Sequence, residues 1–344
     1  MQSTKATLGQ FFTTNSTYIL HGMKIQEDAT LCIEPFVGNG DMLKFINEFP
    51  NKTVEYYDID PKIPGTIKRD TIRDPPEYKN KFVLTNPPYL ARNKSSDKYL
   101  YDLYKCNDLY KCFLITLIND KCKGGIIIIP LNFLSSIRKA DADLRRRFLE
   151  VYDIQHVNIF EESVFDDTSY AVCAIMFTSD KSDDSAFVST VYPSRKKITL
   201  YLNKDNNYTI GGELYALSGS SFKVSRATAK TDINTISNIL LKCIDDNKDR
   251  LLGVSMVSDD VAESYIDTTP KLSSRSYATV VIEPAITLDK QKKLVNKFND
   301  FINHKRYQYN SLFLPQYRNS NTVARKRISF SLSFSILSYL LETL

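Results

Sequence analysis

The sequence predicts an α/β fold with a doubly wound, mostly parallel sheet, followed by a second region of different character. Three observations predict it. Short β-rich runs recur through the first half and alternate with helical patterns. Several of these runs are apolar at consecutive positions, as strands covered on both faces are. After the polar run at 180–185 (DKSDDS) the alternation stops, and Asn, Ser, Thr and Tyr become frequent. The expected division is residues 1–182 and 183–344.

Seven strands are expected in the first region. Residues 31–37 (LCIEPFV) end at Gly38-Asn39-Gly40, and 53–60 (TVEYYDID) are closed by Pro61. A short third strand ends near Asp70. Residues 81–85 (KFVLT) run into Asn86-Pro87-Pro88, and 126–129 (IIII) make the fifth. The last two, 154–160 and 170–178, are expected to pair as an antiparallel hairpin through a turn near Asp166-Asp167. Residues 108–118 (DLYKCFLITLI) read as a largely buried helix. In the second region, 289–305 read as a helix with Leu294, Val295, Phe298, Phe301 and Ile302 on one face. A C-terminal helix is expected to present Phe330, Phe334, Leu337, Leu341 and Leu344.

Composition narrows the class. The chain has 344 residues, 42% hydrophobic and 25% charged, which is an ordinary globular balance. Its net charge of +5 does not by itself announce a nucleic-acid partner, but the distribution is uneven. From Lys290 to Arg327 there are ten Lys or Arg and a single acid, Asp300. Six cysteines form no Cys-x-x-Cys pair and only three histidines are present, so no metal site is expected. No signal peptide and no apolar run of membrane-spanning length is visible, so a soluble, intracellular protein is expected.

Three motifs fall at successive strand ends. Glu34-Pro35-Phe36-Val37-Gly38-Asn39-Gly40 lets backbone N–H groups approach a ligand closely, although a plain glycine turn would look similar. Leu43 stands where a dinucleotide fingerprint would carry its third glycine, which counts against a nicotinamide enzyme. Asp58-Ile59-Asp60-Pro61 offers a carboxylate able to accept both hydroxyls of a ribose; a solvated acidic turn is the alternative. Asn86-Pro87-Pro88-Tyr89 removes two N–H donors and stiffens the chain. A carboxamide oxygen and a bare carbonyl, held as acceptors beside an aromatic face, suit a planar amine.

Together these motifs resemble the N6-adenine DNA methyltransferases of gamma motif order, a class I methyltransferase-like fold with a C-terminal target-recognition domain. Gly9-Gln10-Phe11-Phe12-Thr13 resembles the opening segment, with Thr14 where the family usually has proline. The resemblance implies S-adenosylmethionine as cofactor, held by Thr13, Glu34, Phe36, Gly38, Gly40, Asp58, Ile59, Asp70 and Asn86. Asp74 competes with Asp70 for the cofactor's adenine amine. It implies Asn86, Pro87 and Tyr89 as the catalytic group, with Phe165 covering a flipped base. Leu90 to Lys98, Asn107-Asp108-Leu109-Tyr110 and 324–330 resemble short bacterial and large-DNA-virus enzymes paired with restriction endonucleases.

Double-stranded DNA is the partner this implies, with a restriction endonuclease as a functional companion. Candidate DNA contacts are Arg92, Lys94 and Lys98 in the loop after Tyr89. Lys305, Arg306, Arg318, Arg325 and Lys326 join them from the basic cluster, where Tyr307, Tyr309 and Tyr317 are interleaved. Asn-Pro-Pro-Tyr also serves enzymes acting on RNA or on protein glutamine, and a non-catalytic DNA-binding subunit of the same fold is a further alternative. The long basic region after the catalytic motif favours DNA over the first, and the intact motifs argue against the second.

Overall fold

The computed structural model describes residues 15–165, 170–182, 185–217, 221–244, 246, 252–314, 319–320, 323–324 and 326–344. Two compact units are present. The first comprises Met1–Lys204 with Arg318–Ala324, and the second Asp205–Tyr317 with Arg325–Leu344.

In the first unit, the strands β1 (Leu31–Glu34), β2 (Thr53–Asp58), β3 (Ile67–Lys68), β4 (Phe82–Thr85) and β5 (Gly124–Pro130) run parallel. The chain then forms β6 (Asp153–Phe160) and β7 (Val172–Thr178). They pair antiparallel, with β7 inserted between β5 and β6. This is the expected hairpin; its turn at Asp166-Asp167 lies outside the described residues. Helices α1 (Ser16–Ile19), α2 (Asp41–Ile46), α3 (Tyr99–Tyr104), α4 (Leu109–Asn119), α5 (Asn132–Ser135) and α6 (Lys139–Val151) separate the strands. In α4, every residue from Tyr110 to Leu117 is buried, as its continuous apolar run requires.

The sheet is larger than the seven strands expected. β8 (Ala186–Tyr192) pairs parallel with β6, and β9 (Lys196–Tyr201) pairs antiparallel with β8. The order among the described residues is β3-β2-β1-β4-β5-β7-β6-β8-β9. The sheet thus continues beyond the expected division at 182/183. The change of unit falls after Lys204, because the backbone donors and acceptors of β8 and β9 are satisfied by this sheet.

The second unit has an antiparallel sheet of β10 (Lys223–Arg226), β11 (Ile236–Lys242), β12 (Gly253–Met256) and β13 (Tyr277–Glu283), in the order β10-β13-β11-β12. The short helix α7 (Asp259–Ser264) follows β12. Helix α8 (Leu288–Tyr309) starts at Thr287, whose side chain accepts from the Lys290 N–H, and packs on β11 and β12. It buries Leu294, Val295, Phe298 and Ile302, while Phe301 is only half-buried. Helix α9 (Phe330–Leu341) buries Leu332, Ile336, Leu337, Leu340 and Leu341. Phe330 and Phe334 are half-buried and Leu344 is exposed, so the buried face is rotated from the one expected. Ser331, Ser335 and Ser338 lie on the opposite side of the helix, and Ser331 and Ser335 are exposed.

Candidate active site

In the parallel part of the sheet, β1 lies between β2 and β4. Connections leave the two sides of β1 in opposite directions, which opens a crevice at the carboxyl ends of the strands. A cavity of about 330 Å³ lies there. Phe36 and Gly38 line it from the turn after β1, Asp58 and Ile59 from the end of β2, Asp70 and Ile72 from beyond β3, and Asn86 and Pro88 from the end of β4. The sequence places these side chains together because each follows a short apolar strand of the same parallel set.

The turn after β1 is tied to both neighbouring strands. Gly38 N–H donates to Asp58 Oδ2 at 2.9 Å, and Asp60 N–H donates to Asp58 Oδ1 at 2.8 Å. Asp58 is buried and lines the cavity. Thr71 Oγ1 donates to the Pro35 carbonyl at 3.0 Å, binding the segment after Asp70 to the same turn.

Glu34 is fully buried. Its Oε1 accepts from the Phe36 N–H at 3.0 Å and from Thr85 Oγ1 at 2.5 Å, while Oε2 has no hydrogen-bond partner among the described residues. Burial pushes its carboxyl up to about 8, against the lowering effect of those two hydrogen bonds. Glu34 therefore joins the glycine turn to the residue just before Asn86.

The two candidate adenine-side acids are now distinguished by position. Asp70 lines the cavity, and its Oδ1 accepts the N–H groups of Ile72 and Arg73. Asp74 is 72% exposed, pairs with Arg69 Nε at 2.9 Å, and does not line the cavity.

Asn86 lines the cavity, but Tyr89 does not. The Tyr89 ring is 2% exposed, with the rings of Tyr110 and Tyr170 edge-on at 6.2 and 6.1 Å. Its hydroxyl reaches Asn86 Oδ1 at 2.5 Å and the Ile128 carbonyl at 2.7 Å. Tyr89 is thus packed among aromatic rings beside Asn86. Phe165 is likewise buried and does not line the cavity. Gly40 is not on the lining either. It takes φ +80° at the start of α2, where a Cβ would meet Ile63 Cδ1 at 2.4 Å. Pro87 is buried beside Asn86.

Beyond Tyr89 the chain is braced by Asp108. Its Oδ1 accepts the Leu90 N–H at 3.1 Å, and the Leu90 carbonyl accepts from Tyr101 Oη at 2.9 Å. Burial pushes the Asp108 carboxyl up to about 6. The loop that follows brings Ser95, Ser96 and Asp97 onto the cavity, and Asp97 pairs with Arg73 at 2.9 Å. Ile72, Arg73, Leu90, Leu100, Tyr101 and Leu109 also line the cavity, and none of them was named as a site residue from the sequence. They sit on loops and helix starts, where no periodicity marks an inward side chain; Ile72, an apolar residue two after Asp70, was the one visible cue.

The basic residues expected to touch DNA divide in two. Arg92 and Lys94 are exposed, Arg92 pairing with Asp102 at 2.9 Å. Lys98 turns inward, donating to the Arg92 and Ser95 carbonyls and closing its own loop. In the second unit, Arg306 is bound by both oxygens of Asp246 at 2.9 Å, and Lys305 pairs with Glu213 at 3.3 Å. Lys326 is buried, donating to the Asn310 carbonyl at 3.2 Å. Arg306 is held by charge against a buried carboxylate, while Lys305 and Lys326 are engaged within their own unit by Glu213 and the Asn310 carbonyl. Among the described residues, the exposed cations of the cluster are instead Lys292 and Lys293 on α8. Thr13, Tyr317, Arg318 and Arg325 lie outside the described residues.

The residues present fit S-adenosylmethionine. The cavity volume falls in the range of small-molecule sites, and its lining combines apolar Phe36, Ile59 and Ile72 with the acceptor carboxylates Asp58 and Asp70. Two carboxylates near apolar faces are the donor-seeking set that a ribose diol and an adenine amine require. Among the described residues, no cluster could hold a metal ion and no helix is long and apolar enough to cross a membrane.

A family model described as N-6 DNA Methylase matches residues 52–223. No curated protein matches the chain. Among solved structures, the chain is similar to a modification subunit assigned to a type I restriction enzyme of Vibrio vulnificus YJ016. The identity is 14%, over 55% of this chain and 48% of that one, with a TM-score of 0.40. It is also similar to the type I restriction-modification methyltransferase subunit of Streptococcus thermophilus, at 17% identity over 53% of this chain and 47% of that one, with a TM-score of 0.39. A third likeness is to the type IIG restriction endonuclease BpuSI, at 13% identity over 64% and 36%, with a TM-score of 0.41. The chain spans about half the length of the type I subunits it matches.

Proposed function

The chain belongs to the N-6 DNA methylase family, and from that premise we propose that it transfers a methyl group from S-adenosylmethionine to N6 of an adenine in duplex DNA. The observation that carries this reading is the single cavity lined jointly by Phe36, Gly38, Asp58, Asp70 and Asn86. It supports a cofactor site and an amine site in one chamber.

In this reading Asp58 accepts from the ribose hydroxyls and Asp70 from the adenine amine of the cofactor. Phe36, Ile59 and Ile72 provide its apolar walls. Thr13 and Gly40 complete the cofactor set, Thr13 by contact and Gly40 by shaping the turn. The bound cofactor supplies an electrophilic methyl group on a sulfonium. The target base leaves the duplex, since N6 of a stacked adenine cannot be approached in line. Asn86 Oδ1 and the Pro87 carbonyl accept the two N6 hydrogens and oppose the positive charge that grows on nitrogen. Water takes the proton afterwards, because an N-methylated anilinium-like nitrogen is strongly acidic. In the same reading Tyr89 stacks on the extruded base and Phe165 covers it from elsewhere. Asp97 and Arg73 close the cavity from the loop side.

The second unit is the proposed target-recognition region. Arg92 and Lys94 in the first unit and the exposed Lys292 and Lys293 of α8 in the second are basic residues proposed to meet phosphates. Arg318 and Arg325 are further candidates, and a restriction endonuclease is the proposed functional companion. The test is transfer of label from tritiated cofactor to unmodified duplex DNA, tRNA, rRNA and protein. Label on DNA adenine supports the proposal. Label confined to RNA or protein, or cofactor binding with no transfer to any acceptor, overturns it.

A further inference from the structure

The second unit contains a cavity of about 370 Å³ that the proposed chemistry does not use. Three guanidinium groups line it. Arg226 comes from the end of β10, Arg275 from the segment before β13, and Arg327 from the approach to α9. Among the described residues, no acidic side chain lines it. Ser329, the N-cap of α9, and Phe330, its first residue, line the cavity as well. The unpaired N–H groups of that first turn carry the positive end of a twelve-residue helix.

The walls are held rather than loose. Asp267 Oδ1 accepts from Thr269 Oγ1 at 2.6 Å and from the Thr269 N–H at 3.2 Å. Its Oδ2 accepts the Ser274 N–H at 3.0 Å. That same oxygen meets Arg226 Nη1 at 3.2 Å, and the Arg226 guanidinium lies 5.8 Å from the Phe330 ring centroid. Arg327 Nη2 donates to Ser276 Oγ at 2.9 Å. Arg275 is exposed, and no described carboxylate pairs with it. Among the described residues, the carboxylate paired with this group is Asp267, through Arg226, and it is not on the cavity lining.

We propose that this cavity binds phosphate, and that its occupant is a phosphodiester of the DNA backbone. The phosphate assignment rests on the chemistry of the lining. Planar guanidinium forks match the oxygens of a phosphate, and several of them around one tetrahedral anion use more of its acceptors than a carboxylate could offer. The DNA assignment rests on the function proposed above, together with the open, exposed side formed by Leu272, Arg275 and Ser329, across which a polymer can lie. Such a contact fixes the register of the protein on the duplex without reading bases.

The test uses the full chain, an end-labelled unmethylated duplex, and anisotropy titrations across a salt series. Wild type is compared with Arg275→Gln and Arg275→Glu. Both substitutions are at an exposed side chain, and cofactor affinity and thermal melting serve as checks on folding. Arg275→Gln is expected to weaken duplex binding about threefold to tenfold and to reduce the slope of log K against log salt by about 1, with Arg275→Glu weaker still. Identical affinity and slope in all three proteins overturn the proposal. A parallel calorimetric titration with inorganic phosphate separates the sources. Phosphate binding that Arg275→Gln removes, with duplex binding unchanged, assigns the cavity to a free phosphate and overturns the DNA occupant. A wild-type chain that binds cofactor but no duplex overturns the functional reading and the DNA occupant together. The phosphate titration alone then decides the anion site, and no binding there overturns it too.

Discussion

Tyr89 Oη stands 2.5 Å from Asn86 Oδ1, with the Ile128 carbonyl 2.7 Å away on its other side. A phenol has one proton, so it donates to one of these acceptors at a time. The oxygen proposed to receive an N6 hydrogen is thus held in place by the aromatic residue of its own motif. Tyr89→Phe keeps the ring and removes the hydroxyl. Losing a buried hydrogen bond and leaving the Ile128 carbonyl without this donor should cost about 1–3 kcal/mol in denaturant unfolding. Single-turnover methylation should fall less than about tenfold, because Tyr89→Phe retains both proposed acceptors. Asn86→Ala removes one of them and should slow the chemical step by about 10² or more at nearly unchanged cofactor affinity. Equal losses in the two variants would argue that the hydroxyl, not the carboxamide, carries the role.

Glu34 sets a pH dependence. Its folded-state value of about 8 lies above the ordinary carboxylate value, and burial is the main cause. Between those two values the folded chain still holds a proton that the unfolded chain has lost. Stability therefore falls as pH rises from about 4.5 to about 8, by at most about 1.4 kcal/mol per unit, and this contribution levels off above that window. Glu34→Gln cannot ionise, so its unfolding free energy should lose this downward slope and exceed that of wild type at pH 8. Parallel pH profiles for the two proteins would refute the assignment.

The contrast between these two residues and the rest of the site explains what could be read in advance. Glu34, Asp58 and Asn86 end short apolar strands, and parallel pairing brings strand ends together whatever the loops do. Their meeting was therefore visible in residue order alone. The burial of Tyr89 was not, because it depends on Tyr110 in α4 and Tyr170 before β7, which are distant in sequence. The strands β8 and β9 were missed for a similar reason. They follow a polar run that looks like a boundary, and only pairing with β6 reveals them as sheet. The basic cluster was legible as charge but not as exposure. The acids that neutralise it, Glu213 and Asp246, lie 92 and 60 residues from their partners.

Gly40 tests how far the glycine turn is structural. It takes φ +80°, and an added Cβ would meet Ile63 Cδ1 at 2.4 Å. Gly40→Ala should destabilise the chain by about 1 kcal/mol or more through the left-handed backbone alone. Movement of Ile63 can relieve the contact, since Cδ1 is the far end of a flexible side chain. The start of α2 would shift with the turn, so cofactor affinity should also fall, measured by calorimetry. An Ile63→Ala change in the same chain should relieve the clash but not the backbone cost. Full recovery in the double variant would show that side-chain crowding, not φ, was the whole effect.

Arg306 provides the sharpest separation between a binding cation and an internal one. Its Nε lies 2.9 Å from each oxygen of Asp246, its Nη2 donates to the Leu252 carbonyl at 2.8 Å, and Ser311 Oγ donates to the same carboxylate at 2.8 Å. The Asp246 side chain is 2% exposed, so Arg306→Ala leaves a buried carboxylate without its counter-charge. The expected cost is about 3–5 kcal/mol. Asp246→Asn added to Arg306→Ala removes the stranded charge while keeping an acceptor for Ser311, and should recover about 1–2 kcal/mol of that loss. In DNA titrations below the melting temperature, Arg306→Ala should leave the salt slope unchanged, whereas a phosphate contact would lower it by about 1. A reduced slope at unaltered stability would return Arg306 to the DNA surface.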